Sequence, residues 1–318
     1  MERHGIAVAG TTTVDKIYEV AAYPSLGELT HIRNINMAFG GIVPNTGVGL
    51  KILRPELEVY GITRLGDDAE GGMILDFLKR KGLDTAGITV ANGERSPFTD
   101  VISIVGGQRT FFTYPGATAK FGCEHIDWDN LNAKMLHLGY FLLLDAVDNG
   151  EGYKILKKAS ELGIETSIDV VSENSDRYKI IVPCLAYVDN LIINETESSR
   201  ITGMDPDEGN LVNVARKLLE MGVRKSVIIH TPTYGVIVRP DSYTELAPWK
   251  KPEGFIKGTV GAGDAYCAGA LIGLYEGRDD RTVLEYATLA AAASLREADA
   301  TSGMEPLDEL YRQYGMYL

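Results

Sequence analysis

The stretch Lys257-Gly258-Thr259-Val260-Gly261-Ala262-Gly263-Asp264-Ala265 decides how this chain is read. Gly261, Ala262 and Gly263 let the backbone turn tightly and approach a ligand closely. Ala265, Tyr266, Cys267, Ala268, Ala270, Leu271, Ile272 and Leu274 then read as a helix, with Gly269 and Gly273 as close-packing points. A turn feeding a helix leaves N–H groups unpaired and aimed outward, and the helix dipole adds partial positive charge there. Such a place suits a phosphate. Asp264 stands at it, although a bound phosphate repels a carboxylate. One purpose is a general base, taking the proton of a hydroxyl that attacks a phosphoryl group. The other reading is an ordinary helix start capped by Asp264, and this stretch alone does not separate the two.

With 318 residues, 45% hydrophobic and 24% charged, the chain suits one large globular domain or two small ones, and disorder is excluded. A net charge of -13 repels nucleic acid and anionic membrane, so a small-molecule function is favoured. Cys123, Cys184 and Cys267 have no metal-ligand spacing and read as reduced thiols of a cytoplasmic protein. Met1-Glu2-Arg3-His4 leads straight into a strand-like run, with no signal peptide and no apolar run of membrane-spanning length.

Along the chain, Gly5 to Gly10 reads as a buried first strand, and Ile17 to Val20 and Thr30 to Ala38 as further strands. Gly40-Gly41-Ile42-Val43-Pro44-Asn45 opens a helix toward Leu53. Val59 to Arg64 reads as a second core strand. Ala69 to Lys81 reads as a helix with Met73, Ile74, Phe77 and Leu78 on one face, and Asp84 to Val90 leads to a third strand. Phe98 to Val105 and Arg109 to Tyr114 flank Gly106-Gly107 as a hairpin. These strands do not alternate with helices and suggest a small separate sheet. From Met135 onward strand and helix alternate, including a helix over Tyr178 to Leu185, which implies a parallel sheet covered on both faces.

Ligands of such sheets sit at the carboxyl ends of the strands. Asp15, Gly40, Gly41, Asn45, Asp169, Asn194, Glu197 and Asp264 all fall there. Individually they read equally as turn or cap residues; their joint position on one edge favours a site. The motifs Gly40-Gly41-x-x-x-Asn45, Asn194-x-x-Glu197 and Thr259-x-Gly261-Ala262-Gly263-Asp264 resemble, in order and spacing, those of the ribokinase-like (PfkB) carbohydrate kinases. The resemblance runs nearly end to end. It implies one ribokinase-like domain over residues 1–318, a three-layer α/β/α core with a mostly parallel central sheet. A small β-sheet lid, formed by about residues 12–39 and 96–116, is implied with it. It implies transfer of the ATP γ-phosphoryl to a hydroxyl of a sugar or sugar derivative. By the family pattern Asp264 is the base, and Gly261, Ala262 and Gly263 are the anion hole. Asp15, Gly40, Gly41 and Asn45 hold substrate hydroxyls; Arg109, in a neighbourhood that meets substrate in relatives, is a substrate-binding candidate that reads also as a solvated hairpin arginine; Asn194, Thr259, Gly235 and Asp169 meet the nucleotide; Glu197 serves Mg²⁺ through water.

Two departures follow. Gly258 stands where relatives carry an aspartate of a monovalent-cation site, so K⁺ activation is expected to be weak or absent. The stretch His230-Thr231-Pro232-Thr233-Tyr234-Gly235 keeps only the final glycine of the family's nucleotide loop, and His230 reads as a strand-end residue. A nucleoside kinase using Phe98, Phe111, Phe112 and Tyr114 as a base slot is an alternative, as is a regulator keeping the fold without catalysis. A homodimer through the lid is expected, with the outward-facing set drawn from some of Ile17, Ile32, Ile35, Val101 and Ser103.

Overall fold

The computed structural model describes residues 3–104, 109–247 and 251–315. Short apolar runs bounded by glycine or polar residues become strands. The first half of the chain contains β1 (Ile6–Ala9), β2 (Thr13–Val20), β3 (Ile32–Gly40), β4 (Val59–Ile62), β5 (Arg64–Gly66), β6 (Thr89–Ala91), β7 (Phe98–Ile104) and β8 (Arg109–Tyr114). The second half contains β9 (Met135–Phe141), β10 (Glu165–Val170), β11 (Asn190–Asn194), β12 (Ser226–His230), β13 (Gly235–Val238) and β14 (Tyr243–Leu246). The main helices are α1 (Val48–Leu53), α2 (Ala69–Arg80), α3 (Gly152–Glu161), α4 (Glu195–Thr202), α5 (Leu211–Glu220), α6 (Ala262–Tyr275), α7 (Asp280–Ser294) and α8 (Leu307–Tyr314).

The central sheet runs in the order β14-β13-β12-β11-β10-β9-β1-β4. It is parallel from β12 to β4, and β13 and β14 add an antiparallel edge. Its strands are apolar on both faces because helices cover both. Ile6, Val8, Ile192 and Ile228 point into one core with α1, α6 and α7; Ala7, Ala9, Leu191 and Ile193 point into the other with α3 and α5. The result is an α/β/α core, with a small second sheet of order β3-β2-β7-β8. Helix α6 is buried almost all round. At Gly269 an added Cβ would lie 2.4 Å from the Tyr286 carbonyl oxygen of α7, so glycine sets how closely these helices pack.

Four expectations change. The run 59–64 is not one core strand: it breaks at Thr63, whose hydroxyl donates to the Gly10 carbonyl, and β5 pairs instead with β6. The strand after Asp84 therefore belongs to a two-stranded sheet separate from the central one. Residues Arg177–Tyr187 form a 3₁₀ helix containing Pro183, which has no N–H to give an α-helical ladder. Met73 is 41% exposed, outside the buried stripe of Ile74 and Leu78. The Gly106-Gly107 turn lies outside the described residues.

The register of the small sheet sorts its faces. Asp15 pairs with Ala38 and Thr99, and Thr99 with Thr113, so these share one face with Ile17, Val101 and Phe111. Val101 is buried there, not outward. The opposite face carries Ile35, Met37 and Phe112, exposed at 59%, 49% and 61%.

Candidate active site

Strands β1, β9, β10, β11 and β12 all end on one edge of the main sheet, and polar groups gather there. After β1 the chain passes Thr11 and returns as β3, ending at Gly40. Gly41 has φ of 91°, and a Cβ there would sit 2.6 Å from the Thr11 carbonyl oxygen. That carbonyl accepts from the Val43 N–H, which starts the buried turn carrying Asn45. Above this turn the Asp15 carboxylate lies against Gly40, where a Cβ would be 3.0 Å from Oδ2. Burial raises the pKa of Asp15, opposed by hydrogen bonds from Thr13 and Thr99. The hydroxyls of Thr13, Thr99 and Thr113 form a line across three strands, with Oγ1–Oγ1 distances of 3.4 and 3.3 Å.

Gly261, at φ of 75°, turns the chain into α6. A Cβ there would fall 2.2 Å from that of Ala300. Gly263 differs: a Cβ would meet only His230 Cε1 at 3.9 Å, so protein packing does not demand glycine at this position. Asp264 is half-buried on the first turn of α6. Its Oδ2 accepts from Asn45 Nδ2 at 3.0 Å and from the Tyr140 hydroxyl at 2.9 Å. Burial, then the negative charge of Asp169, push its pKa up to about 7 against these hydrogen bonds. Tyr140 was not visible in the sequence as a site residue. It follows β9's core pairing at φ of 62°, a costly conformation for a bulky residue, and its N–H donates to Asp169 Oδ1 at 2.5 Å. That pairing carries the ring to Asp264.

Asn194 and Glu197 form a capping box at the start of α4. Asn194 Oδ1 accepts from the Glu197 N–H, and Glu197 Oε2 from the Asn194 N–H, both at 2.9 Å. Glu197 Oε1 accepts from Ser172 at 2.8 Å, and burial pushes the carboxyl up to about 7. Two adjoining cavities meet at Asn194, His230 and Gly263. One, of about 210 Å³, is lined by Tyr140, Asp169, Asn194, Glu197 and Asp264. The other, of about 380 Å³, is lined by Asn194, Thr259, Ala262, Gly263, Gly235 and Tyr266. The His230 ring lies between them, tilted by 31° against Tyr266 with centroids 4.5 Å apart, and burial pushes the His230 pKa down to about 4. Residues 231–234 form the tight β12–β13 connection, with the Thr231 N–H donating to the Tyr234 carbonyl.

The structure thus brings Asn45, Asp169, Asn194, Glu197, Gly261, Ala262, Gly263 and Asp264 around the cavities, with Thr259 and Gly235 on the larger one. It does not bring Arg109. That residue pairs with Ser103, four positions along β8 from Thr113 and so about 13 Å from the row of Asp15. At Gly258 an added Cβ would be 2.7 Å from the Glu297 carbonyl oxygen, so packing itself excludes an aspartate.

The sequence profile described as "pfkB family carbohydrate kinase" matches residues 3–307. Ribokinase of Arabidopsis thaliana is 27% identical over 91% of this chain and 75% of its own length. A 5-dehydro-2-deoxygluconokinase of Clostridium perfringens is 24% identical over 89% and 85%. Among solved structures, the Arabidopsis thaliana ribokinase complexed with ribose and ATP aligns with a TM-score of 0.84 at 22% identity, covering 98% of each chain. The nucleoside kinase of Methanocaldococcus jannaschii aligns at 0.78 and 20% identity, covering 99% of this chain and 100% of its own.

Tyr140 donates to the carboxylate form of Asp264, so removing the hydroxyl should raise the Asp264 pKa further. One hydrogen bond to a charged group, about 1.5 kcal/mol, corresponds to about one pH unit. Carboxyl ¹³C NMR titration of wild type and Tyr140→Phe should show Asp264 titrating near 7 in the first and about one unit higher in the second. An unchanged or lower value in the variant would remove Tyr140 from the site.

Proposed function

We propose, from the premise that this chain belongs to the pfkB family of carbohydrate kinases, that it transfers the γ-phosphoryl of ATP to a hydroxyl of a sugar or sugar derivative. The observation that carries this reading is Asp264, a carboxylate with a pKa near 7 at the N-terminal turn of α6, beside a glycine that packing does not require. Two donors occupy Oδ2, which leaves Oδ1 to take the acceptor's proton. A base poised near the working pH is effective in that task. The N–H groups of the Gly261–Gly263 turn serve the charge that develops on the transferred group, that of Ala262 leaving its long bond to the Thr259 carbonyl, 3.4 Å, to do so. The larger cavity receives the nucleotide, with Asn194, Thr259, Gly235 and Asp169 on its path toward Asp264.

The acceptor lies on the face of the small sheet that carries Asp15 and the hydroxyls of Thr13, Thr99 and Thr113, with Gly40 and Gly41 beneath. Such a row of short polar groups suits a polyhydroxylated ligand. The small sheet acts as a lid that keeps water from competing for the phosphoryl group. Mg²⁺ fits the oxygens of Asp169, Asn194 and Glu197, because both Glu197 oxygens already accept hydrogen bonds and a strongly hydrated ion is held through its waters. When bound, the ion neutralises charge on the donor phosphates. The Gly258 packing gives no place for the carboxylate of a K⁺ site. Unpaired thiols, and among the described residues no helix long and apolar enough to cross a membrane, are in keeping with a cytoplasmic reaction. Of the aromatic residues expected to form a base slot, Phe98, Phe112 and Tyr114 lie on the opposite face of the small sheet, and Phe111 alone, exposed on the same face as Asp15, keeps a nucleoside acceptor as the second reading.

A panel of sugars, sugar acids and nucleosides with Mg-ATP, read by ADP release, tests the assignment. Phosphorylation of a sugar is expected, and Asp15→Ala should raise the acceptor KM at least about tenfold while leaving that for ATP within about twofold. Turnover of nucleosides alone would favour the second reading, and no turnover on the panel would favour a regulator.

The apolar face of Ile35, Met37 and Phe112 is too exposed to stay in water on an isolated sheet. A homodimer joining two such sheets covers it. Sedimentation equilibrium at micromolar protein should give twice the 34.6 kDa chain mass, and Ile35→Glu should weaken the dimer at least about tenfold. A single species at the chain mass would contradict it.

A further inference from the structure

Behind Asp264 lies a cluster of which the transfer reaction uses only Asp169. His137, on β9, is fully buried. Its Nδ1 is 2.9 Å from Ser167 Oγ, its Nε2 is 3.4 Å from Asp169 Oδ2, and Cys267 Sγ is 3.5 Å from the same Nε2. The three ligand atoms lie within 4.8 Å of one another. Zinc bonds of about 2.0–2.3 Å at tetrahedral angles place neighbouring donor atoms about 3.4–3.6 Å apart. The two Nε2 distances therefore already match the edges of a zinc tetrahedron. Ser167 holds the other imidazole nitrogen, as outer partners of metal-bound histidines do. Asp169 and Cys267 line the 210 Å³ cavity, which supplies both an entry path and room for a fourth ligand from solvent.

We infer that His137, Asp169 and Cys267 form a site for one thiophilic divalent cation of the Zn²⁺ class, distinct from the Mg²⁺ that travels with the nucleotide, and that its occupancy inhibits the enzyme. The donor set sets the selectivity. Thiolate and imidazole favour zinc, cobalt or copper, whereas Mg²⁺ takes oxygen ligands and keeps its waters. On binding, the Cys267 S–H bond gives its proton to solvent as the sulfur–metal bond forms. No electron is transferred. Inhibition follows from shared groups: Asp169 Oδ1 holds the Tyr140 N–H, and Tyr140 holds Asp264. A cation on Oδ2 draws Asp169 away from the nucleotide and places positive charge beside the base. Binding does not depend on the kinase reading; inhibition does, and the two are read separately.

The test uses full-length protein carrying Cys123→Ala and Cys184→Ala, which leaves Cys267 as the sole thiol of the sequence. Without nucleotide, Co²⁺ should produce a near-ultraviolet thiolate-to-cobalt charge-transfer band that saturates at one equivalent, and Zn²⁺ should bleach it. Adding Cys267→Ala, or Cys267→Ser should alanine fail to fold by circular dichroism, should abolish the band. Absence of the band, or its survival without Cys267, would overturn the site. In the assay, Zn²⁺ should lower turnover at least about tenfold with Cys267 present and less than about twofold, relative to its own metal-free rate, in Cys267→Ser. Equal inhibition of both would overturn the inhibitory role.

Discussion

A carboxylate is held half-buried at the positive end of a buried helix, and the rest of the molecule is arranged around that constraint. Asp264 would be stabilised in its charged form by the α6 N-terminus alone. Burial and Asp169 push the other way, and Asn45 and Tyr140 hold the balance near neutrality. Each of these groups comes from a different part of the chain. Asn45 is set by the Gly40-Gly41 turn, Asp169 by the end of β10, Tyr140 by the end of β9. The parallel sheet is what brings those ends to one edge, and the uniformly apolar α6 fixes the Asp264 backbone against it.

The same edge explains why two cavities meet where they do. Gly263 and His230 stand at their junction, and the side-chain position of that glycine is open. Glu197 shows how one residue can serve architecture first. It closes the capping box of α4 and is buried for that reason; its place beside the cavity follows from the same hydrogen bonds.

The architecture was legible in the sequence because alternating strands and helices, and three glycine- or asparagine-bearing motifs, are local signals. So were Asn45, Asp169, Asn194 and Asp264 as residues of one edge. What stayed hidden depends on long-range geometry. Tyr140 reaches Asp264 only through a positive φ that no propensity scale assigns to tyrosine. The break at Thr63 depends on a hydrogen bond to Gly10, 53 residues away. Ile17, Val101 and Ser103 stayed among the candidates for the outward face because strand faces cannot be assigned until the register is known. Arg109 followed from the family neighbourhood, and the same register sets it at the far end of its sheet. The cluster of His137, Asp169 and Cys267 spans 130 residues and leaves no spacing signature.

The central claim, that Asp264 is the base on an anion-binding turn, is tested most directly by Asp264→Asn, a change that keeps shape and removes the charge and the proton acceptor. Single-turnover phosphoryl transfer and ATP affinity should be measured on the same preparation. The account predicts a fall in rate of about 100- to 10,000-fold with ATP affinity within about threefold of wild type. A variant that retains near wild-type rate would contradict it.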